Sequence, residues 1–416
     1  MSCLHYKQNE LYIENVNLKK IAEEFGTPCY VYSHAAIRNN WQAFDQALHS
    51  FSHRICYAVK ANSNIAILNI LAKLGSGFDI VSVGELERVI AAGGNPQQII
   101  FSGVGKRENE MERAAELDIF CFNVESEPEL ERLALIATKH NKILNIALRI
   151  NPDVNPQTHS HITTGTKENK FGIAAEDVIP ICQEIATMPQ LKLIGLACHI
   201  GSQITELHPF LLAMDHLIRL YQKLKRMGFN IHHMNIGGGL GIIYDHEHPP
   251  SITDYATAIK EKFKHDSLEI IVEPGRSIIG NAGVLLTRVE YIKQTHHKNF
   301  AIVDAGMNDL LRPALYNAWQ TILPIIQHQA ETKCYDIVGP VCESADFLGI
   351  NRELAIKAHD LLAIDTVGAY GFCMSSNYNS RCRAAEILID DHHIHLIRRR
   401  ETIADLIGLE KLKTDA

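Results

Sequence analysis

The stretch Arg54-Ile-Cys-Tyr-Ala-Val-Lys-Ala-Asn62 decides the fold. Residues 54–59 read as a short apolar strand, and residues 64–74 read as a helix. A doubly wound sheet, the competing architecture, places a glycine-rich fingerprint directly after its first strand. Here that position holds Lys60-Ala-Asn62. A lysine at a strand's C-terminal end, walled by Tyr57, Ala58 and Val59, is poorly placed as a solvating charge. It is well placed to be partly desolvated, which lowers an amine's pKa and makes it a nucleophile toward an aldehyde. Taken alone, a strand-end lysine is more often a surface residue, so its meaning depends on the rest of the chain.

The strand–helix alternation continues to about residue 275. Strand-like runs fall at 54–59, 77–81, 99–102, 119–124, 143–150, 193–199, 234–236 and 269–273. Between them, segments such as Leu86-Glu-Arg-Val-Ile90 and residues 210–220 carry apolar residues at three- and four-residue spacing. Eight such units in ~220–250 residues predict an α/β fold, a (β/α)8 TIM barrel with its active site at the C-terminal ends of the strands. After Gly280, strand-like runs at 284–292, 299–303, 335–338, 361–364, 386–389 and 393–398 follow without long helices between them. They predict a mostly β C-terminal domain. Segments 11–13 and 29–32 are assigned to it as well. The expected domains are thus 33–277 for the barrel, and 1–32 with 278–416 for the β-rich domain that completes the active site.

A chain of 416 residues exceeds what one core usually supports, consistent with two domains. With net charge −8 and basic residues scattered apart from Arg398-Arg-Arg400, no nucleic-acid surface is expected. The first ten residues hold no apolar signal region, and no apolar run approaches membrane-spanning length. The expectation is a cytoplasmic protein with no membrane partner. None of the ten cysteines forms a C-x-x-C pair, so buried reduced thiols are expected. His159-Ser-His161, His246-Glu-His248 and His392-His-Ile-His395 sit in polar loops or turns without helical ligand spacing, and no catalytic metal is expected.

The strand ends carry the chemistry. Strand two opens Gly77-Phe-Asp79, strand six ends in Cys198-His199-Ile-Gly-Ser202, strand seven in Asn235-Ile-Gly-Gly-Gly239, and strand eight in Glu273-Pro-Gly-Arg276. The glycine run offers backbone N–H groups, which with Arg276 suit a phosphate. It matches neither G-x-G-x-x-G nor a P-loop. Glu273 can keep a pyridine nitrogen protonated, and His199 can stack on a ring, though a hydrogen-bonded core histidine is the plain alternative. An amine, a pyridinium partner and a phosphate cup describe a site for pyridoxal 5'-phosphate.

On these motifs the chain resembles the fold-type III pyridoxal-phosphate-dependent decarboxylases, the diaminopimelate decarboxylase family most of all. Further matching motifs are Leu311-Arg-Pro-Ala-Leu-Tyr316, Gly339-Pro-Val-Cys-Glu-Ser344, Gly368-Ala-Tyr370 and Arg398-Arg-Arg-Glu-Thr402, so the likeness covers nearly the whole chain. It implies decarboxylation of meso-2,6-diaminopimelate to L-lysine, the last step of lysine biosynthesis. It implies Lys60 as the lysine that carries the cofactor and Cys342 as proton donor, against the plain reading of Cys342 as another buried thiol. Cofactor contacts follow at Asp79, His199, Ser202, Gly237, Gly238, Gly239, Glu273, Pro274, Gly275, Arg276 and Tyr370. Substrate contacts follow at Arg276, Arg312, Tyr316, Glu343 and Tyr370. The family also implies a homodimer with active sites shared across the interface. The alternatives are an ornithine, lysine or arginine decarboxylase, whose substrates lack the distal carboxylate that Arg312 would meet, and a catalytically silent pyridoxal-phosphate-binding regulatory relative. Asn308-Asp309 and residues 242–244 receive no role beyond loop or core.

Overall fold

Each of the eight expected runs becomes a strand of one closed parallel barrel in the computed structural model, which describes residues 3–154, 169–264 and 267–413. The strands are β1 His53–Ala58, β2 Gly77–Ile80, β3 Ile99–Phe101, β4 Cys121–Val124, β5 Leu144–Asn151, β6 Leu191–Ala197, β7 His233–Asn235 and β8 Glu269–Val272. Neighbours follow chain order, and β8 closes the ring on β1 in parallel. Strands of such a sheet are buried on both faces and therefore read as unbroken apolar runs. Every residue of β2, β3 and β4 is buried. Six of the strands stop one or two residues before the expected C-terminal end, because the chemistry-bearing residues lie in the turns just beyond the ladder. Side-chain caps set where the following helices begin. Asn64 accepts from the Ala66 N–H at 3.0 Å to start Ile65–Lys73. Ser82 accepts from the Glu85 N–H at 3.2 Å to start Val83–Ala91.

The chain divides into two units, residues 38–243 with 247–278, and residues 1–37 with 244–246 and 279–416. The first holds the barrel. The second is organised on the long strand Gly283–Gln294, which pairs antiparallel with Cys29–Ser33, Leu361–Ile364 and Asn299–Val303. Cys29–Ser33 also pairs in parallel with Ala385–Asp390, so an N-terminal segment is an inner strand of this sheet, with all its residues buried. Glu10–Ile13 belongs instead to a separate three-stranded sheet, tied on by the Leu11 N–H to the Ile325 carbonyl at 2.9 Å. Leu11, Ile13, Leu18, Val31, Leu286 and Ile387 share one core cluster, each worth about 1.5–3 kcal/mol of burial.

Phe347–Leu354, Ile322–Pro324, Leu4–Lys7, Val16–Asn17 and Ile173–Ala174 are strands that the sequence reading passed over. His393 and His395 lie on the strand His393–Arg398, where the strand-like run at 393–398 places them, with ring centroids 6.3 Å apart. Among the described residues no helix is long and apolar enough to cross a membrane.

Candidate active site

Tyr57 is fully buried, and its hydroxyl donates to the Asn62 carbonyl at 3.1 Å. The Asn62 side chain in turn accepts from the Asn64 N–H at 3.1 Å. The single 3-10 turn Val59–Ala61 is thereby held at both ends, and it carries Lys60. The lysine is partly withdrawn from solvent, as its apolar neighbours predict. Tyr57, Ala58 and Val59 are absorbed into the barrel, while the Lys60 side chain stays 37% exposed, with Nζ 3.0 Å from Oδ2 of the fully buried Asp79. The amine is an ion-pair partner.

The Ala58 N–H donates to the Pro274 carbonyl at 3.2 Å, which brings the Glu273-Pro-Gly-Arg276 turn against the lysine turn. A Cβ at position 275 would stand 3.0 Å from the Ala61 Cβ, so the close approach favours glycine there. Arg276 reaches from this turn to donate to the Ser202 hydroxyl at 3.0 Å. The Glu273 carboxylate accepts from Asn235 Nδ2 at 2.6 Å. Burial first, and the Asp79 charge second, hold Glu273 well above the usual carboxylate range, against the opposing pull of Lys60 and Asn235. His199 Nδ1 accepts from the Gly238 N–H at 3.3 Å, which leaves the ring proton on Nε2. Burial, then Lys60 and Arg149, push its pKa far down, so the ring is neutral.

Two amides of the glycine loop are engaged within the protein. The Gly237 N–H donates to Asn235 Oδ1 at 2.9 Å and the Gly238 N–H to His199, so these two amides serve the protein itself. Close packing accounts for the glycines. A Cβ at Gly238 would lie 2.2 Å from the Glu273 carbonyl oxygen. Gly239 has φ +108, and its Cβ would lie 2.5 Å from the Gly201 oxygen. Gly238→Ala is therefore expected to cost about 1–3 kcal/mol of stability by overpacking. It should also loosen cofactor binding by displacing Glu273. Thermal denaturation and a cofactor titration check the two effects separately.

Lys60, Asp79, Asn123, Arg149, His199 and Glu273 line one cavity of about 370 Å³ at the C-terminal ends of the barrel strands. Arg149, Asn123 and Asn235 were not singled out from sequence. Arg149 donates to Glu125 at 2.8 Å, and the same Glu125 oxygen takes the Gly103 N–H at 2.7 Å. The signal was a charged residue inside the apolar run of β5. The residues present fit pyridoxal phosphate. The cavity offers an amine, a buried carboxylate for a ring N–H and a neutral imidazole, and nearby stands a serine–arginine pair for the phosphate. Asp79 Oδ1 and Asn123 Oδ1 are buried at this cavity without a hydrogen-bond partner among the described residues, acceptors that a ligand donor can satisfy.

The model of the pyridoxal-dependent decarboxylase family's pyridoxal binding domain matches residues 34–280. The chain is 52% identical over 414 residues to the diaminopimelate decarboxylase of Vibrio cholerae, covering 99% of each. It is 53% identical over 412 residues to that of Pseudomonas aeruginosa, again covering 99% of each. The chain belongs to the diaminopimelate decarboxylase family. A solved member, the enzyme of M. jannaschii in co-complex with L-lysine, superposes with a TM-score of 0.94 at 37% identity, over 99% of this chain and 98% of that one. The fold of the family, a TIM-like barrel with a mostly β second unit, is the fold described above.

The family's remaining motif residues lie in the second unit. Arg312 is buried at the start of the short helix Arg312–Tyr316, its guanidinium 4.4 Å from the centre of the Tyr244 ring. This contact gives residue 244 a purpose that the sequence left open. Tyr316 is half-buried at the end of the same helix. Asp309, buried beside the buried Asn308, accepts from the Gly306 N–H at 3.0 Å, and its carbonyl takes the Tyr30 hydroxyl at 2.6 Å. Tyr370 holds φ +56, a left-handed conformation uncommon for a bulky residue. Cys342 is exposed, which removes the buried-thiol reading, and Glu343 beside it is exposed too. Five other cysteines are buried free thiols as expected, but Cys334 is exposed. His159 and His161 lie outside the described residues. Among the described residues, no cluster of three or more His, Cys, Asp or Glu is arranged to hold a metal ion.

Proposed function

We infer that this chain decarboxylates meso-2,6-diaminopimelate to L-lysine and carbon dioxide with pyridoxal 5'-phosphate, the closing step of lysine biosynthesis. One observation carries the reading. The Lys60 amine and the buried Glu273 carboxylate line the same cavity at the barrel mouth, as holding a pyridoxal ring at its aldehyde and at its ring nitrogen requires. Bound pyridoxal phosphate supplies the electron sink for the pair that the departing carboxylate leaves at Cα. Lys60 would hold the cofactor through its amine, and Asp79 beside it orients the lysine. The Glu273 carboxylate would accept the N–H of the ring nitrogen and so keep it protonated. His199, neutral and held by the Gly238 N–H, lies against the ring face. Ser202, the stretch from Gly239 onward and the Gly275-Arg276 turn hold the phosphate.

The substrate's distal end carries an amine and a carboxylate together. Arg312 takes the carboxylate and Glu343 the ammonium, with Tyr316 and Tyr370 completing the contacts. Cys342 delivers the proton to Cα. The Cys342-Glu343 pair is contributed by the partner subunit of a homodimer, which also closes the mouth against water. The protein acts in the cytoplasm. Carbon dioxide release from meso-diaminopimelate, compared with lysine and ornithine, tests the reading, and a preference for either of the latter ends it. Arg312→Ala removes a charge-assisted contact worth about 1.5–3 kcal/mol, so kcat/KM for diaminopimelate should fall at least about ten-fold. A loss below three-fold would take the distal carboxylate away from Arg312.

A further inference from the structure

The exposed Cys342-Glu343 pair has no regular secondary structure to hold it, yet both residues are fixed by one neighbouring turn. The Tyr378 hydroxyl donates to Glu343 Oε1 at 2.5 Å. The next residue's side chain, Asn379 Oδ1, accepts the Cys342 N–H at 2.9 Å. The turn adopts a costly backbone to do this, since Asn379 and Ser380 both lie in the left-handed region, at φ +53 and +54. It is braced on both sides. Asn377 Nδ2 donates to the Glu401 carboxylate at 2.7 Å and to the Arg381 carbonyl at 3.0 Å. The Ser376 N–H donates to the Asn308 carbonyl at 2.8 Å. Neither Tyr378 nor Asn379 is buried, so the core does not demand this geometry.

We propose that the Tyr378-Asn379 turn is a positioning element that presents Cys342 and Glu343 as a preset pair. Tyr378 sets the carboxylate that reads the distal ammonium, and Asn379 sets the backbone that carries the proton donor. The inference rests on the roles given to Cys342 and Glu343 above. The hydroxyl occupies one carboxylate oxygen and leaves the other for the ligand, so its removal loosens the anion without removing its charge. Glu343 keeps the Tyr378 proton in place by raising the phenol's pKa through this hydrogen bond, so the tyrosine remains a donor throughout the neutral range.

L-lysine keeps the distal amine and carboxylate of the substrate, whereas 6-aminohexanoate keeps that carboxylate and lacks that amine. The pair of ligands therefore reads the Glu343 contact directly, without turnover. In the holoenzyme, Tyr378→Phe should weaken L-lysine binding and raise KM for diaminopimelate about ten-fold. Its kcat and its 6-aminohexanoate affinity should stay near wild type. Asn379→Gly keeps the left-handed backbone accessible but removes the acceptor, and it should lower kcat with little change in KM. Glu343→Gln separates the two levels of the argument. If it weakens L-lysine binding while Tyr378→Phe matches wild type, the positioning role is wrong and the Glu343 reading stands. If Glu343→Gln leaves L-lysine binding unchanged, the role of Glu343 fails, and this inference with it. Equal losses for both ligands in Tyr378→Phe would mark the turn as merely structural and overturn the proposal.

Discussion

Lys60→Ala is expected to abolish turnover and to erase the visible absorbance of lysine-bound pyridoxal phosphate. The Nζ that leaves is the one 3.0 Å from Asp79, at the centre of the turn held by Tyr57 and Asn62. The variant should remain folded, because the backbone of Val59–Ala61 is held by groups other than the lysine side chain. It should lose some stability, since the buried Asp79 is left without its cation. We expect about 1–3 kcal/mol, less than for a fully buried pair because Lys60 is 37% exposed. Circular dichroism separates folding from function. Borohydride reduction that still fixes the cofactor to a protein lysine in Lys60→Ala would assign the role to a different residue.

Mixing two dead proteins should restore activity. If the Cys342-Glu343 pair serves the partner's barrel in a homodimer, each site takes its lysine from one chain and its cysteine from the other. Lys60→Ala and Cys342→Ala proteins are then each nearly inactive. Under conditions that exchange subunits, half the dimers become hybrids, and each hybrid has one intact site and one doubly broken site. About a quarter of all sites should recover, by the arithmetic of a two-fold dimer. Exchange demonstrated by a mass-tagged subunit, with no return of carbon dioxide release, would assign Cys342 to its own chain's lysine.

The barrel was legible because parallel strands covered on both faces write themselves as apolar runs, and the run at 143–150 is nearly the observed β5. The strand ends were less legible for a physical reason. Glu273 reads as the last residue of an apolar strand, yet the ladder ends at Val272 and the carboxylate belongs to the turn that Pro274 fixes. At Lys60 the apolar neighbours foretold partial withdrawal from solvent, but not the carboxylate that β2 sets beside the amine. Asp79 is nineteen positions away in sequence, so the ion pair is visible only once β1 and β2 are registered side by side. Phe347–Leu354 escaped notice because Gly349 and Asn351, the latter at φ +54, interrupt its alternation, and its ladder with Lys333–Val338 shifts register. Of the residues lining the cavity, Lys60, Asp79, His199 and Glu273 could be singled out from their motifs. Arg149 and Asn235 could not, because their importance lies in what they touch across the barrel.

Asn235 stands between the Glu273 carboxylate and the glycine loop. Its one amide group grips Glu273 with the nitrogen and the Gly237 N–H with the oxygen. The orientation of that amide is therefore determined, since turning it over would set oxygen against carboxylate and NH2 against N–H. Aspartate, nearly the same shape, fails for the same reason, because it has no donor to give. Through this residue the carboxylate proposed for the ring nitrogen and the loop beside the phosphate share a mechanical link. With the ring held as proposed, a change that relaxes Asn235 at one of these contacts would relax the other, so coenzyme retention and ring reactivity would shift together.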